Sequence, residues 1–144
     1  MIMDELLEFA DAVDVSGAAG SALVGDVINL QEARDMGNGQ AIYLVVNYPE
    51  AVSGGTSIDI QLRSDAAAAI SPTTGTLHAS TGAVAVASLT AGRTFVFALP
   101  LEGLEYEQYL GVTVTRVGTV STASVNAFLT YDPKGWKSYP DATN

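Results

Sequence analysis

Residues 106–131, Tyr-Glu-Gln-Tyr-Leu-Gly-Val-Thr-Val-Thr-Arg-Val-Gly-Thr-Val-Ser-Thr-Ala-Ser-Val-Asn-Ala-Phe-Leu-Thr-Tyr, decide the fold. Leu110, Val112 and Val114 alternate with Gly111, Thr113 and Thr115; after a Gly/Ser/Thr turn, Val125, Ala127 and Leu129 alternate with Asn126, Phe128 and Thr130. Successive strand side chains point to opposite faces, so the stretch predicts two long strands with one buried face each. Their closeness in the chain predicts a hairpin. The second face is Thr, Gly and Asn, with Phe128 as the exception. A half-apolar hairpin is not stable alone in water, so a second sheet must cover it.

The same alternation recurs upstream. Gln40–Tyr48 is apolar on both faces, the mark of a central strand covered on both sides, and Pro49 ends it because proline cannot donate to the ladder. Ser53-Gly-Gly-Thr56 is a turn, after which Ile58, Ile60 and Leu62 point inward and Asp59, Gln61 and Arg63 outward. Asp65–Thr76 reads as a loop with one helical turn over its alanines, stopped by Pro72. Leu77–Leu89 holds one or two short strands, and Arg93–Leu99 places Phe95, Phe97 and Leu99 on one face before Pro100. Nearer the start, glycines 17, 20 and 25 bracket Ser21–Val24, and Val27–Leu30 follows as a short strand. About eight short strands, with no helix of about ten residues or more, predict an all-β, two-sheet antiparallel sandwich, and their uneven connections favour a jelly roll.

The ends are less regular. Residues 1–16 mix Leu6, Leu7, Phe9, Ala10 and Val13 with five acids. The spacing suits an amphipathic turn or an extended segment. The all-β context favours an extended arm or first strand, with a loosely packed tail as the alternative. Residues 1–131 are read as one domain and 132–144 as an irregular tail. The tail holds Trp136, Tyr139, Lys134 and Lys137 in a Pro/Gly frame. Trp and Tyr dominate interface hot spots, so the tail suits docking on a partner; folding back over its own sheet is the plainer alternative.

Composition narrows function mainly by exclusion. A chain of 144 residues buries roughly 68–70% of its unfolded surface as a single domain. Without cysteine it can hold neither disulfides nor thiolate zinc, which fits a reducing compartment. Sixteen acids against six scattered basic residues give a net charge of −10, which argues against nucleic acid and anionic membranes as partners. The acidic N-terminus lacks the positive charge of a signal peptide, and no apolar run reaches the ~18 residues of a membrane span, predicting a soluble protein made in the cytoplasm. Mean hydropathy is +0.26 and only 15% of residues are charged, against about 25% in an ordinary domain; a surface meant to be covered by other protein would account for this.

Chemistry is nearly absent. Gly37-Asn-Gly39 is turn chemistry, not a phosphate loop, because no Lys follows and the run enters a strand. His78 is the only histidine and no Gly-x-Ser-x-Gly elbow occurs, so nucleophilic catalysis lacks its partners. Glu102, Glu105 and Glu107, with Tyr106 and Tyr109 near, are the one conceivable glycosidase-like set; clustered loop acids more often simply solvate the loop. No Asp-x-Asp-x-Asp run offers calcium ligands, and neither a metal nor another cofactor is expected.

Four stretches carry a resemblance: Met-Ile-Met-Asp-Glu-Leu-Leu-Glu-Phe-Ala-Asp-Ala at 1–12, Ala-Arg-Asp-Met-Gly-Asn-Gly-Gln-Ala-Ile-Tyr-Leu-Val-Val at 33–46, Leu-Thr-Ala-Gly-Arg-Thr-Phe-Val-Phe-Ala-Leu-Pro at 89–100, and Tyr-Leu-Gly-Val-Thr-Val at 109–114. The chain resembles the small capsid cement, or decoration, proteins of tailed bacteriophages, of the kind found on the Bordetella phage head. That resemblance implies a jelly-roll homodimer without enzymatic activity. It also implies attachment to the outside of an icosahedral shell built of a different major capsid protein. The candidate partner contacts are Leu6 and Phe9 of the arm, Tyr43 of the doubly apolar strand, and Trp136 and Tyr139 of the tail. Another virion module, from a tail or fibre, and a carbohydrate-binding module are the competing readings.

Overall fold

The computed structural model describes residues 5–33, 40–100 and 105–133. Among them eleven strands form: β1 Glu8–Asp14, β2 Gly20–Asn29, β3 Tyr43–Tyr48, β4 Ser53–Gly54, β5 Ser57–Asp65, β6 Thr76–Ser80, β7 Val84–Ala85, β8 Arg93–Ala98, β9 Tyr109–Val117, β10 Val120–Thr122 and β11 Ser124–Thr130. Three-residue 3₁₀ turns at Glu5–Leu7 and Val86–Ser88 are the only helical pieces described.

The strands make two antiparallel sheets stacked as a sandwich. One runs β1-β11-β3-β8 and the other β2-β9-β5-β6, with β7 also on β5 and a small β4–β10 ribbon apart. Leaving out the short β4, β7 and β10, the first long strand pairs with the last, the second with the seventh, the third with the sixth and the fourth with the fifth. The core lies between the sheets. Leu44, Val46, Val125 and Ala127 of one sheet and Ile58, Ile60, Leu62, Leu110, Val112 and Val114 of the other belong to a single buried cluster. At roughly 1.5–3 kcal/mol per fully buried aliphatic side chain, this cluster is the main stabilising term.

The expected hairpin does not form. β9 lies between β2 and β5, and β11 lies between β1 and β3 in the opposite sheet. The chain turns at Gly118 (φ +79°), and β10 pairs with β4 as the chain passes between sheets. A period of two gives each strand one apolar face whether the strands lie side by side or face each other across a core. The alternation therefore could not separate the two arrangements.

Three more expectations shift. The alanines of 66–69 form bends with no helical turn, and the loop instead buries Ile70 over the outer face of β9. A Cβ on Gly111 would come 2.7 Å from Ile70 Cδ1, so the end of the Ile70 side chain would have to shift to admit a larger residue. Thr113, placed on the polar face, is also fully buried. Finally, the two pieces expected across Ser21–Leu30 are one strand, β2, with a register shift between Val24 and Val27. Gly25 sits in that bulge at φ +59°, and a Cβ there would fall onto the Phe9 carbonyl oxygen. Only glycine allows β1 and β2 to approach so closely.

Candidate functional site

Three surfaces or clusters carry unusual chemistry. The first is polar and buried, at the junction of β5, β6 and the segment before β9. Ser64 continues the inward phase of Ile58, Ile60 and Leu62 and is 0% exposed. Its Oγ lies 2.7 Å from His78 Nε2 and accepts the Glu107 backbone N–H at 3.1 Å. The hydroxyl can donate to a neutral imidazole or use its second lone pair to accept from it, according to the His78 tautomer. The His78 ring stacks on Tyr106 at 3.9 Å, and the Tyr106 hydroxyl donates to the Pro100 carbonyl at 3.0 Å. Thr76 Oγ1 donates to Glu107 Oε1 at 2.6 Å. Burial holds the His78 pKa below its usual value, with Glu107 opposing the shift.

A serine beside a histidine and a carboxylate invites a nucleophilic reading. The geometry assigns it another role. The serine oxygen has no exposed surface for a substrate to reach, and Tyr106 covers one face of the imidazole. The cluster pins residues 105–108 to the ends of β5 and β6. Glu107 is engaged with Thr76 and Glu105 is exposed; Glu102 lies outside the described residues.

The outward side chains of β5 are likewise spent internally. Asp59 accepts from Gln61, Ser80 and Thr81, Gln61 Oε1 accepts two bonds from Arg63, and Arg63 Nη1 donates to the Gly75 carbonyl. Arg116 donates to the carbonyls of Val15, Ser16 and Ala18.

The second feature is a groove of about 560 Å³ beside β1, lined by Glu5, Glu8, Asp11 and Asp26 over Phe9, Ala10 and Val13. The Glu8 pKa is raised, first by burial and then by repulsion from Asp11, Glu5 and Asp26. No group of three or more His, Asp or Glu among the described residues is placed to hold a metal ion.

The third feature is the opposite side of the sandwich, where β8 ends its sheet. Phe95 and Phe97 stack at 6.4 Å and only partly join the core, Arg93 lies 5.1 Å over the Phe95 ring, and Val96 is 43% exposed.

The expected contact residues divide. Leu6 is 80% exposed; Tyr43 is half-buried on the outer face of β3. Phe9 is corrected: it is 0% exposed, because β1 is an integral strand of the sandwich and Phe9 fills that sandwich's own core. Trp136 and Tyr139 lie outside the described residues. Ser64 was missed, and Tyr106, read as an aromatic near the loop acids, instead stacks on His78. The available signal was a polar residue in phase with three inward aliphatics.

What the described residues define is an antiparallel β-sandwich whose internal polar groups serve its own loops, leaving an acidic groove on one side and an apolar strand edge on the other. The family model Bbp16 matches residues 9–129, from β1 into β11. The chain belongs to the Bbp16 family, a family of Bordetella phage proteins, and family and fold together fit a phage structural protein. Among curated proteins nothing matches.

Proposed function

We propose that this protein is a capsid cement. In this reading it binds the outer surface of the icosahedral phage head as a symmetric homodimer and bridges neighbouring subunits of the major capsid protein. It makes and breaks no covalent bond. The nested strand pairing is read as the jelly roll that the resemblance implies. The observation that carries the proposal is the family match across nearly the whole sandwich.

Physical features support it. A cement must bind the assembled shell better than free coat subunits, and such preferential binding stabilises the shell by mass action. Repetition on a lattice adds avidity to modest single contacts. Exposed Leu6 beside the acidic groove offers an apolar and anionic patch suited to a basic coat surface. The test is cosedimentation of the purified chain with heads lacking it, set against binding to free coat subunits. Saturable binding to heads alone is expected; equal binding to both, or to neither, would overturn the reading. A tail or fibre module would instead bind tails and sediment as a trimer.

A further inference from the structure

We propose that β8 is the dimer seam: the strands of two copies pair antiparallel about a two-fold axis at Val96, joining their β1-β11-β3-β8 sheets into one continuous sheet of eight strands. The proposal deepens the dimer of the cement reading by naming its surface, and it rests on the strand edge itself.

The edge is open and straight. β8 pairs with β3 in unbroken register from Tyr43↔Ala98 to Tyr48↔Arg93, and among the described residues no strand lies along its other side. The Leu99 N–H donates to the Ile42 carbonyl, so by alternation Phe95 and Phe97 also point their backbone groups at β3. Thr94, Val96 and Ala98 therefore point their N–H and C=O groups outward. An exposed row of this kind is a template for another strand.

The same alternation sets the register. Two copies satisfy these groups together when Val96 faces Val96 of the second copy and Thr94 faces its Ala98, giving about six N–H···O bonds. Phe95 then stands opposite Phe97 of the copy as a close non-hydrogen-bonded pair, extending the Phe95–Phe97 stack into four rings. Val96, 43% exposed in the single chain, is covered at the axis.

Charge selects a second copy as the occupant. The molecule carries −10, yet Arg93–Ala98 contains no acid. Antiparallel pairing also keeps the two Arg93 side chains at opposite ends of the seam. Self-pairing along β1 would instead press Glu8, Asp11 and Asp14 against their own copies.

The test uses the full chain. Sedimentation equilibrium should give twice 14.9 kDa, and Val96→Lys, which places two ammonium groups on the axis, should return the mass to 14.9 kDa. Val96→Pro removes an outward N–H that a free edge does not use, so it should also give a folded monomer. Because either variant could unfold, hydrogen exchange of the unaltered protein provides the second measurement. The amides of Thr94, Val96 and Ala98 should be protected at high concentration and lose that protection on dilution. A wild-type monomer, a trimer, or a dimer whose Val96 amide exchanges freely would overturn the seam. Dimers of that last kind that still bind heads refute the seam and leave the cement reading intact. Dimers built on β8 that bind no heads do the reverse.

Discussion

The two edges of the β1-β11-β3-β8 sheet are built to opposite rules. β1 shows register shifts between Glu8 and Ala10 and between Ala10 and Val13, carries Ala12 at φ +47°, and bears Glu8, Asp11 and Asp14. It also closes onto β2 through the bulge at Gly25. β8 has no bulge, no acid and an exposed valine at its middle. Bulges and charges are how proteins blunt an edge that must stay single, and a flat apolar edge is how they keep one available. One side of this sandwich is sealed, and the other is left able to receive a strand.

The largest effect should come from breaking the sealed side. Gly25→Val combines a backbone conformation that valine avoids with a collision against the Phe9 carbonyl. We expect a loss of more than about 4 kcal/mol, or a fall in Tm of about 10 °C or more, read by thermal unfolding. Near-wild-type stability would mean that β1 and β2 do not close as described.

On the other side, Ser64→Ala strips the Glu107 N–H and His78 Nε2 of their partner inside the protein. The expected cost is about 1–3 kcal/mol, measured by denaturant unfolding. A smaller cost would show that the segment before β9 is held without this pin.

The same pin gives a pH dependence. A base whose pKa is lower folded than unfolded binds more protons unfolded, so stability rises with pH across that window. The His78 contribution is therefore complete above its unfolded value of about 6.5 and declines as pH falls from there through the lowered folded value. His78→Gln should flatten the stability profile below about pH 6.5. An unchanged slope would assign the dependence to other groups.

The smallest effect sits back on β1. The raised Glu8 pKa means that its carboxylate opposes folding once ionised, a contribution that grows as pH rises through the unfolded and then the folded value. Glu8→Gln should stabilise the protein at neutral pH by about 0.5 kcal/mol or less, since the residue is only partly buried. It should leave the mass in solution unchanged, because the proposed pairing edge is β8.

Much of the fold was legible because strands announce themselves by alternation. Ile58, Ile60 and Leu62 against Asp59, Gln61 and Arg63 could be placed from spacing alone, and the doubly apolar Tyr43–Tyr48 is buried on both faces as expected. What alternation cannot encode is the neighbour. Leu110 and Val125 have the same periodicity across a core as in a hairpin, and only the β4–β10 crossing decides between the two. The site was less legible for a related reason. Ser64 meets His78 because β5 and β6 pair with a register shift between Leu62 and Arg63, a detail of register invisible to composition. The β8 edge could be read as a strand with Phe95, Phe97 and Leu99 on one face, but its being the last strand of its sheet is a property of topology.

In the cement reading, the molecule acts by what its surfaces hold together. The direct measurement is the temperature at which purified phage heads disrupt, with and without saturating amounts of this chain, followed by light scattering. A higher disruption temperature is expected with the chain bound. Equal temperatures at demonstrated saturation would contradict it.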